Sequence, residues 1–401
     1  MESAPAARIV RGRARGTTTA AATRRLLAAR TYGALALAES KRLARAHTAA
    51  VHSLSIDAAQ GRYLLSAGAD TSIQLYDLDA CGPAGPGARQ IEAVRCVPPG
   101  AGHGRFISSV AWYPVDSGMF STSSFDGTLR IWDASTVAEA CQFDLECRIY
   151  CQAMSPTGAH ALVAAVSESA YIRLGDLRTG AFAQSLLAHQ SGGTAVAWSP
   201  VAPYVLATGG TDGSLRLWDI RQAGSHLHDF GGSTVAHAGG VAGLLFAADG
   251  QRLVSSGARA DVRVWHIDSP QSPQFDLPSD TPSEDGGGGG RTSARYGAAG
   301  RCELALTTAS GGAAGADILF CPNGDTTVSV IDIANGRRLA PLDGHFATTL
   351  CAAWRPGRAE LYTGGADSNI LVWCAPERAA PDEDLAELQA DAWSESEPEA
   401  E

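Results

Sequence analysis

TDGSLRLWDIRQ, residues 211 to 222, is a turn followed by a strand. Asp212-Gly213 is a tight-turn pair, and Leu215 and Leu217 then alternate with Ser214 and Arg216 up to Trp218 and Asp219, the period of a pleated strand. Two more short runs rich in β-branched and aromatic residues precede it, GTAVAWS from Gly193 and YVLATGG from Tyr204, with Ser199-Pro200 between them. One unit therefore holds at least three strands joined by tight turns. Arg221 falls two residues past the end of the last one.

The unit recurs. SAGADTSIQLYDL (66–78), STSSFDGTLRIWD (121–133), SSGARADVRVWHI (255–267) and YTGGADSNILVWC (362–374) repeat the pattern of ATGGTDGSLRLWD (207–219). AAVSESAYIRLGDL (164–177) and CPNGDTTVSVIDI (321–333) are degenerate copies that fill the gaps, which makes seven. Trp132, Gly175, Trp218 and Trp265 mark corresponding positions, and their spacing is close to the roughly 40 to 45 residues of a four-stranded propeller blade. A histidine stands upstream of most copies, at His47, His103, His189, His237 and His345. In these features the chain resembles the WD-repeat family, which implies an all-β, seven-bladed propeller.

Within a copy, His189 precedes the first strand, Thr208 lies in the second, Asp212 in the turn and Trp218 in the third. The resemblance implies that these four form a hydrogen-bonded structural tetrad, satisfying polar groups whose burial would otherwise be costly. His103, Thr122, Asp126 and Trp132 form a second set, and His345, Thr363, Asp367 and Trp373 a third. His47, Ser66 and Asp70 carry Tyr76 in place of the Trp. A histidine, an acid and a hydroxyl also invite a hydrolase reading. A catalytic triad would occur once, whereas a repeat reuses the residues that hold its fold, so the sets read as structural and the chain as non-enzymatic.

Composition agrees with a turn-rich globular chain: 401 residues, 45% hydrophobic, with 45 glycines and 19 prolines. Nine cysteines without a paired pattern suit a reducing compartment, and Cys147 and Cys151 lack the second pair a tetrahedral metal site needs. No cofactor is expected. The longest apolar runs are too short to span a membrane. A net charge of −11 argues against nucleic-acid binding through the chain's own field, and favours a protein partner.

Local composition departs from this at both ends and in one insert. Arg8, Arg11, Arg13, Arg15, Arg24, Arg25 and Arg30 crowd the first thirty residues, a composition shared by transit peptides, basic docking segments and arginine-biased coding; Lys41 is the only lysine in the chain. Residues 269–300 are rich in proline, serine and glycine and read as a mobile insert that could hold one outer strand at PQFDL. From Pro381 onward an acidic, disordered tail carries Trp393, either a solvated end or a docking peptide. The domain reading is a basic, partly helical segment at 1–33, a propeller at 34–376 and the tail at 377–401. The outer strand of the last blade is expected from about Ala34 to Arg45, because no fourth strand follows Trp373 and closing the ring removes an open edge.

More specific text narrows the resemblance. SSVAWYPVDSGMFSTSSFDGTLRIWD (108–133), GRYLLSAGAD (61–70), SPVAPYVLATGGTDGSLRLWDIR (199–221) and DAWSESE (391–397) resemble, in the same order, the Cockayne syndrome group A family. These are WD-repeat substrate receptors of a cullin-4 RING ubiquitin ligase acting in transcription-coupled nucleotide excision repair. The resemblance implies a nuclear, non-catalytic subunit of the ubiquitin-conjugation pathway and the DNA damage response. Its damaged-DNA-binding adaptor would be contacted directly, and cullin-4 and the RING subunit indirectly. The Cockayne group B translocase, the UV-stimulated scaffold protein and RNA polymerase II would be further partners. In that class a WD-x-Arg motif touches the adaptor, matched here by Trp218, Asp219 and Arg221, with a weaker match ending at Arg178. A helix ahead of the propeller also docks, for which TAAATRRLLAAR (19–30) has the composition and Leu26 and Leu27 the apolar contacts. The alternative is a WD-repeat scaffold in a chromatin or RNA-processing complex without ligase function.

Overall fold

The computed structural model describes residues 31–38, 41–45, 47–80, 89–222, 225–232, 235–278, 301–307 and 317–375. They form a seven-bladed β-propeller of antiparallel sheets, plus one two-stranded pairing at the seam of the ring. Blade 1 runs outward through Val51–Ile56, Tyr63–Gly68, Ile73–Asp77 and Ala93–Val97. Blade 4, home of the quoted stretch, uses Gly193–Trp198, Val205–Gly210, Leu215–Asp219 and the short His228–Asp229. In blade 5 the outer strand is Phe275–Leu277, paired with Val262–His266.

Blades stack face to face, so inner strands are covered on both sides and lose the in/out alternation of a half-buried strand. Gly193–Trp198 is buried at every position, whereas in the outer strand Glu139–Asp144 only Phe143 is buried. Seven hydrophobic clusters result, one at each junction between neighbouring blades. Between blades 3 and 4, for example, Val166, Ile172 and Leu174 pack against Val196, Leu206 and Trp218. Each such side chain contributes about 1.5–3 kcal/mol of transfer free energy on burial.

Ring closure differs in detail from a single strand over 34–45. Among the described residues the strand on the last blade is Ala36–Leu37, paired through Ala36↔Cys374 and Leu37↔Trp373, with one more bond from the Ala38 amide to the Val372 carbonyl. The chain then crosses to blade 1, where Lys41–Leu43 runs parallel to Arg89–Ile91. The reason is the buried seam: Leu35 and Ala38 are buried in the clusters on either side of blade 7, and following that junction turns the chain away from the blade edge. Tyr32 meets Trp354 edge-on, ring centroids 5.2 Å apart.

Inner strand Ala305–Leu306 of blade 6 is short because the residues before it leave the sheet. The Cys302 amide donates to the Ala242 carbonyl of blade 5, and the Glu303 amide to Leu350 of blade 7. The Glu303 carboxylate accepts from the Leu54 amide at 2.8 Å and from Ser53 Oγ at 3.1 Å, while Arg301 Nη1 donates to the Ser108 carbonyl at 3.0 Å. Three consecutive residues, Arg301 to Glu303, thus tie blades 5, 7, 1 and 2 together at the centre of the ring, the two charged side chains reaching blades 1 and 2 and the backbone amides blades 5 and 7.

Residues 1–30, with Leu26 and Leu27, lie outside the described residues, as do 279–300 and the tail with Trp393. No helix among the described residues is long and apolar enough to cross a membrane.

Candidate functional site

In blade 2, His103 Nε2 meets Thr122 Oγ1 at 2.7 Å, Trp132 Nε1 donates to the same hydroxyl at 2.8 Å, and His103 Nδ1 lies 3.0 Å from Asp126 Oδ2. Blade 7 repeats this with His345 and Thr363 at 2.9 Å, Trp373 and Thr363 at 2.8 Å, and His345 and Asp367 at 3.0 Å. In blade 4 His189 meets Thr208 at 3.0 Å and Trp218 donates to Thr208 at 3.0 Å. There His189 Nδ1 turns to Ser214 at 2.8 Å, leaving Asp212 at 3.4 Å. A Cβ on Gly210 would collide with both His189 and Asp212, so the second strand must end in glycine there.

Burial alone would raise the tetrad carboxyls. In blade 2 the hydrogen bonds from His103 and Thr128 override it and hold Asp126 well below the usual carboxylate range. Asp70 and Asp212 are held down in the same way by His47 and His189.

Blade 5 carries a complete set that the repeat spacing hides. His237 lies 2.6 Å from both Asp261 Oδ2 and Ser255 Oγ, and Trp265 donates to Ser255 at 2.8 Å. The turn has its usual length, with ten residues from Ser255 to Trp265 as from Thr208 to Trp218, but Arg259 stands at the usual Asp position and the acid comes two residues later, at Asp261, after Ala260 takes a φ of 62°. In blade 1, Tyr76 lies beside Ser66 without closing a well-formed hydrogen bond. Blade 3 has Gly175 at the Trp position, and the Phe143 ring of blade 2 occupies that space; a Cβ on Gly175 would lie 2.9 Å from it.

Arg221 sits at the end of blade 4 opposite the tetrad turns. Its guanidinium binds Asp219 in a fork, Nε to Oδ1 at 3.0 Å and Nη2 to Oδ2 at 2.7 Å, and its centre lies 4.9 Å from the Tyr204 ring centroid. The side chain is 63% exposed while Asp219 is only 6% exposed, so the arginine is fixed from below and open above. Hydrogen bonding and charge from Arg221 lower the Asp219 pKa. Tyr204 is backed by the His160 ring at 5.6 Å, and His160 Nε2 lies 2.7 Å from the Pro203 carbonyl. Trp218 is buried in its tetrad and takes no part in this surface.

On the adjoining blade Arg178 is exposed, its amide bonded to Asp176 and its guanidinium without an ion-pair partner among the described residues. Val201 and Val115 are exposed on the same face. Blade 1 builds a similar fork from Arg62 and Asp77, with Arg62 over Tyr63 at 5.2 Å. The Tyr204 contact escapes a motif search but follows from the hairpin: Val205 pairs with Asp219, which sets Tyr204 beside Arg221.

At the other end of the blades a cleft of about 480 Å³ opens between blades 2 and 3, lined by Arg105, Phe125, Glu146, Cys147, Arg148 and Glu168. Among the described residues no group of three or more His, Cys, Asp or Glu is placed to hold a metal ion. Cys147 hydrogen-bonds Ser167 and Cys151 is buried against backbone carbonyls, so the two thiols have separate surroundings.

Seven blades, with the His, hydroxyl, Asp and Trp set reused around the ring, define a propeller whose polar core is structural. The chain is a WD-repeat protein, matching the family described as "WD domain, G-beta repeat" over residues 39–77, 95–133, 180–219, 229–266 and 336–374. It is 28% identical to the WD repeat-containing protein ATCSA-1 of Arabidopsis thaliana over 419 residues, 84% of this chain and 88% of that one. It is 33% identical over 184 residues to the ribosome biogenesis protein WDR12 homolog of Chlamydomonas reinhardtii, 42% of this chain and 38% of the relative. DNA damage-binding protein 2 of Bos taurus is 26% identical over 171 residues, 41% of this chain and 38% of the relative.

Proposed function

We propose that this chain is a substrate receptor of a cullin-4 RING ubiquitin ligase in transcription-coupled nucleotide excision repair, resident in the nucleus. The observation that carries the reading is the posture of Arg221: forked to buried Asp219, stacked on Tyr204 and 63% exposed, it offers its free edge for bidentate contact across an interface. Arg178 extends the same face onto blade 3. The damaged-DNA-binding adaptor would dock there, with the segment carrying Leu26 and Leu27 as a second anchor. The cleft beside Arg105 and Arg148 lies at the opposite end of the blades, free for the Cockayne group B translocase, the UV-stimulated scaffold protein or the stalled polymerase. Ubiquitin transfer belongs to other subunits. Similarity to ATCSA-1 over most of both chains supports this reading.

A second reading, a scaffold in ribosome assembly, is favoured by the 33% identity to the WDR12 homolog over part of the propeller. Titration of the purified chain and of Arg221→Ala with purified adaptor separates the two. The receptor reading requires wild-type binding that weakens in the folded variant. If the wild type does not bind, the scaffold reading stands.

A further inference from the structure

Lys41 is the only lysine among the 401 residues, and the fold places it at the seam of the ring. Its Nζ donates to Glu360 Oε2 at 2.8 Å and to the Tyr362 hydroxyl at 2.8 Å, and that hydroxyl donates to the same carboxylate oxygen at 2.6 Å. The ammonium also lies 5.5 Å from the Tyr362 ring centroid. Arg355 joins from the other side, donating to Glu360 at 3.0 Å, to the Gly61 carbonyl at 2.6 Å and to Asp79 at 2.7 Å. The side chains of Lys41 and Glu360 are each only 16% exposed. One amine therefore links the amino-terminal strand to blade 7, and through Arg355 to blade 1.

A primary amine is the acceptor in acyl transfer. Burial lowers the pKa of this amine while Glu360 opposes that shift, and the packing that leaves its side chain only 16% exposed limits access to it. Access in turn depends on a segment whose strand pairing is short, although Leu35 and Ala38 on either side of it are buried and the Ala38 amide bonds the Val372 carbonyl. Ala36–Leu37 pairs with blade 7 over two residues, and Leu37 is 47% exposed. Short pairings of this kind open at lower cost than the core around them.

We propose that Lys41 is a fold-gated acyl-acceptor site, closed while Ala36–Leu37 is seated on blade 7 and Lys41–Leu43 on blade 1, and open to an activated acyl donor once these two short strands lift. In the reaction the neutral amine attacks the carbonyl carbon of a thioester, a C–N bond forms and the C–S bond breaks. The thiolate leaves, and the proton lost by nitrogen passes to it or to solvent. No oxidant or reductant is needed. The amide product carries no charge and cannot rebuild the ion pair with Glu360, so acylation would hold the seam open. One consequence rests on the ligase reading: a receptor whose single lysine is gated is spared as an acceptor for thioester-linked ubiquitin while it remains folded.

The test uses the full chain and acetic acid N-hydroxysuccinimide ester, with acetylation of Lys41 followed by peptide mass spectrometry and folding by circular dichroism. It does not involve the ligase, so its failure and failure of the receptor reading are separable. In the native protein Lys41 is expected to react about tenfold or more slowly than in the urea-unfolded chain. Reactivity should rise at urea concentrations where the circular dichroism is still native, and Glu360→Gln should raise it several-fold. Native reactivity equal to that of the unfolded chain overturns the gate. A rise only upon global unfolding overturns the role of the two strands, and both outcomes can be read from the wild type alone.

Discussion

The Arg221 guanidinium lies 4.9 Å over the ring of Tyr204, a contact made possible by the register of the blade 4 hairpin. With the fork to Asp219 it holds a flexible cation in one pose before any partner arrives, which reduces the entropy lost on binding. Arg221→Ala is therefore expected to weaken adaptor binding about tenfold or more, in the manner of an arginine hot spot, with the circular dichroism spectrum unchanged. Tyr204→Leu removes only the ring beneath it and should cost about two- to fivefold. Equal affinity of both variants and wild type in titration calorimetry would take this surface out of the interface.

The buried Thr208 hydroxyl accepts from Trp218 Nε1 and pairs with His189 Nε2, so its loss leaves both unmatched. Thr208→Val should cost about 1–3 kcal/mol in urea denaturation. Thr208→Ser should cost far less, since Ser255 fills the same place in blade 5.

Acid should unfold the propeller through the tetrads. The folded-state carboxyl of Asp126 lies below its unfolded value, as do those of Asp70 and Asp212. The stability they contribute is present above the unfolded carboxyl pKa of about 3.9 and is lost as the pH falls from there toward the folded values. Urea midpoints measured from pH 6 downward should decline in that window, and Asp126→Asn should flatten the decline. An unchanged slope in the variant would show that other carboxylates carry the effect.

Restoring the repeat signature in blade 3 should harm the protein. Gly175→Trp drives a ring into the space that Phe143 fills, and overpacking of this kind costs about 1–3 kcal/mol or more. Pairing it with Phe143→Ala should recover part of the loss, a coupling that a double-mutant cycle measures directly.

Removing the chain through residue 45 should destabilise the whole ring. It strips Leu35 and Ala38 from the clusters flanking blade 7, together with the salt bridge from Lys41 to Glu360. The expected loss is at least about 3 kcal/mol from the buried apolar surface alone. A cooperative shift of the thermal transition would show that the seam supports all seven blades, and fraying of the last blade alone would argue against it.

Signals that act over one blade were already present in the linear chain. Turn pairs such as Asp212-Gly213, the recurrent Trp and the nearly constant distance from His to Asp are local, repeated and therefore self-corroborating. They determine that the chain folds into blades and that the five recurrent histidines are spent on structure. Blade 5 marks the limit, where the acid stands two positions later in a turn of unchanged length, so Asp261 is hidden from the pattern. Only ring closure decided the rest. It carried Arg301 and Glu303 to the centre, and it brought Lys41 to Glu360 across 319 residues of sequence. No periodicity encodes such encounters, because each depends on where the last blade meets the first.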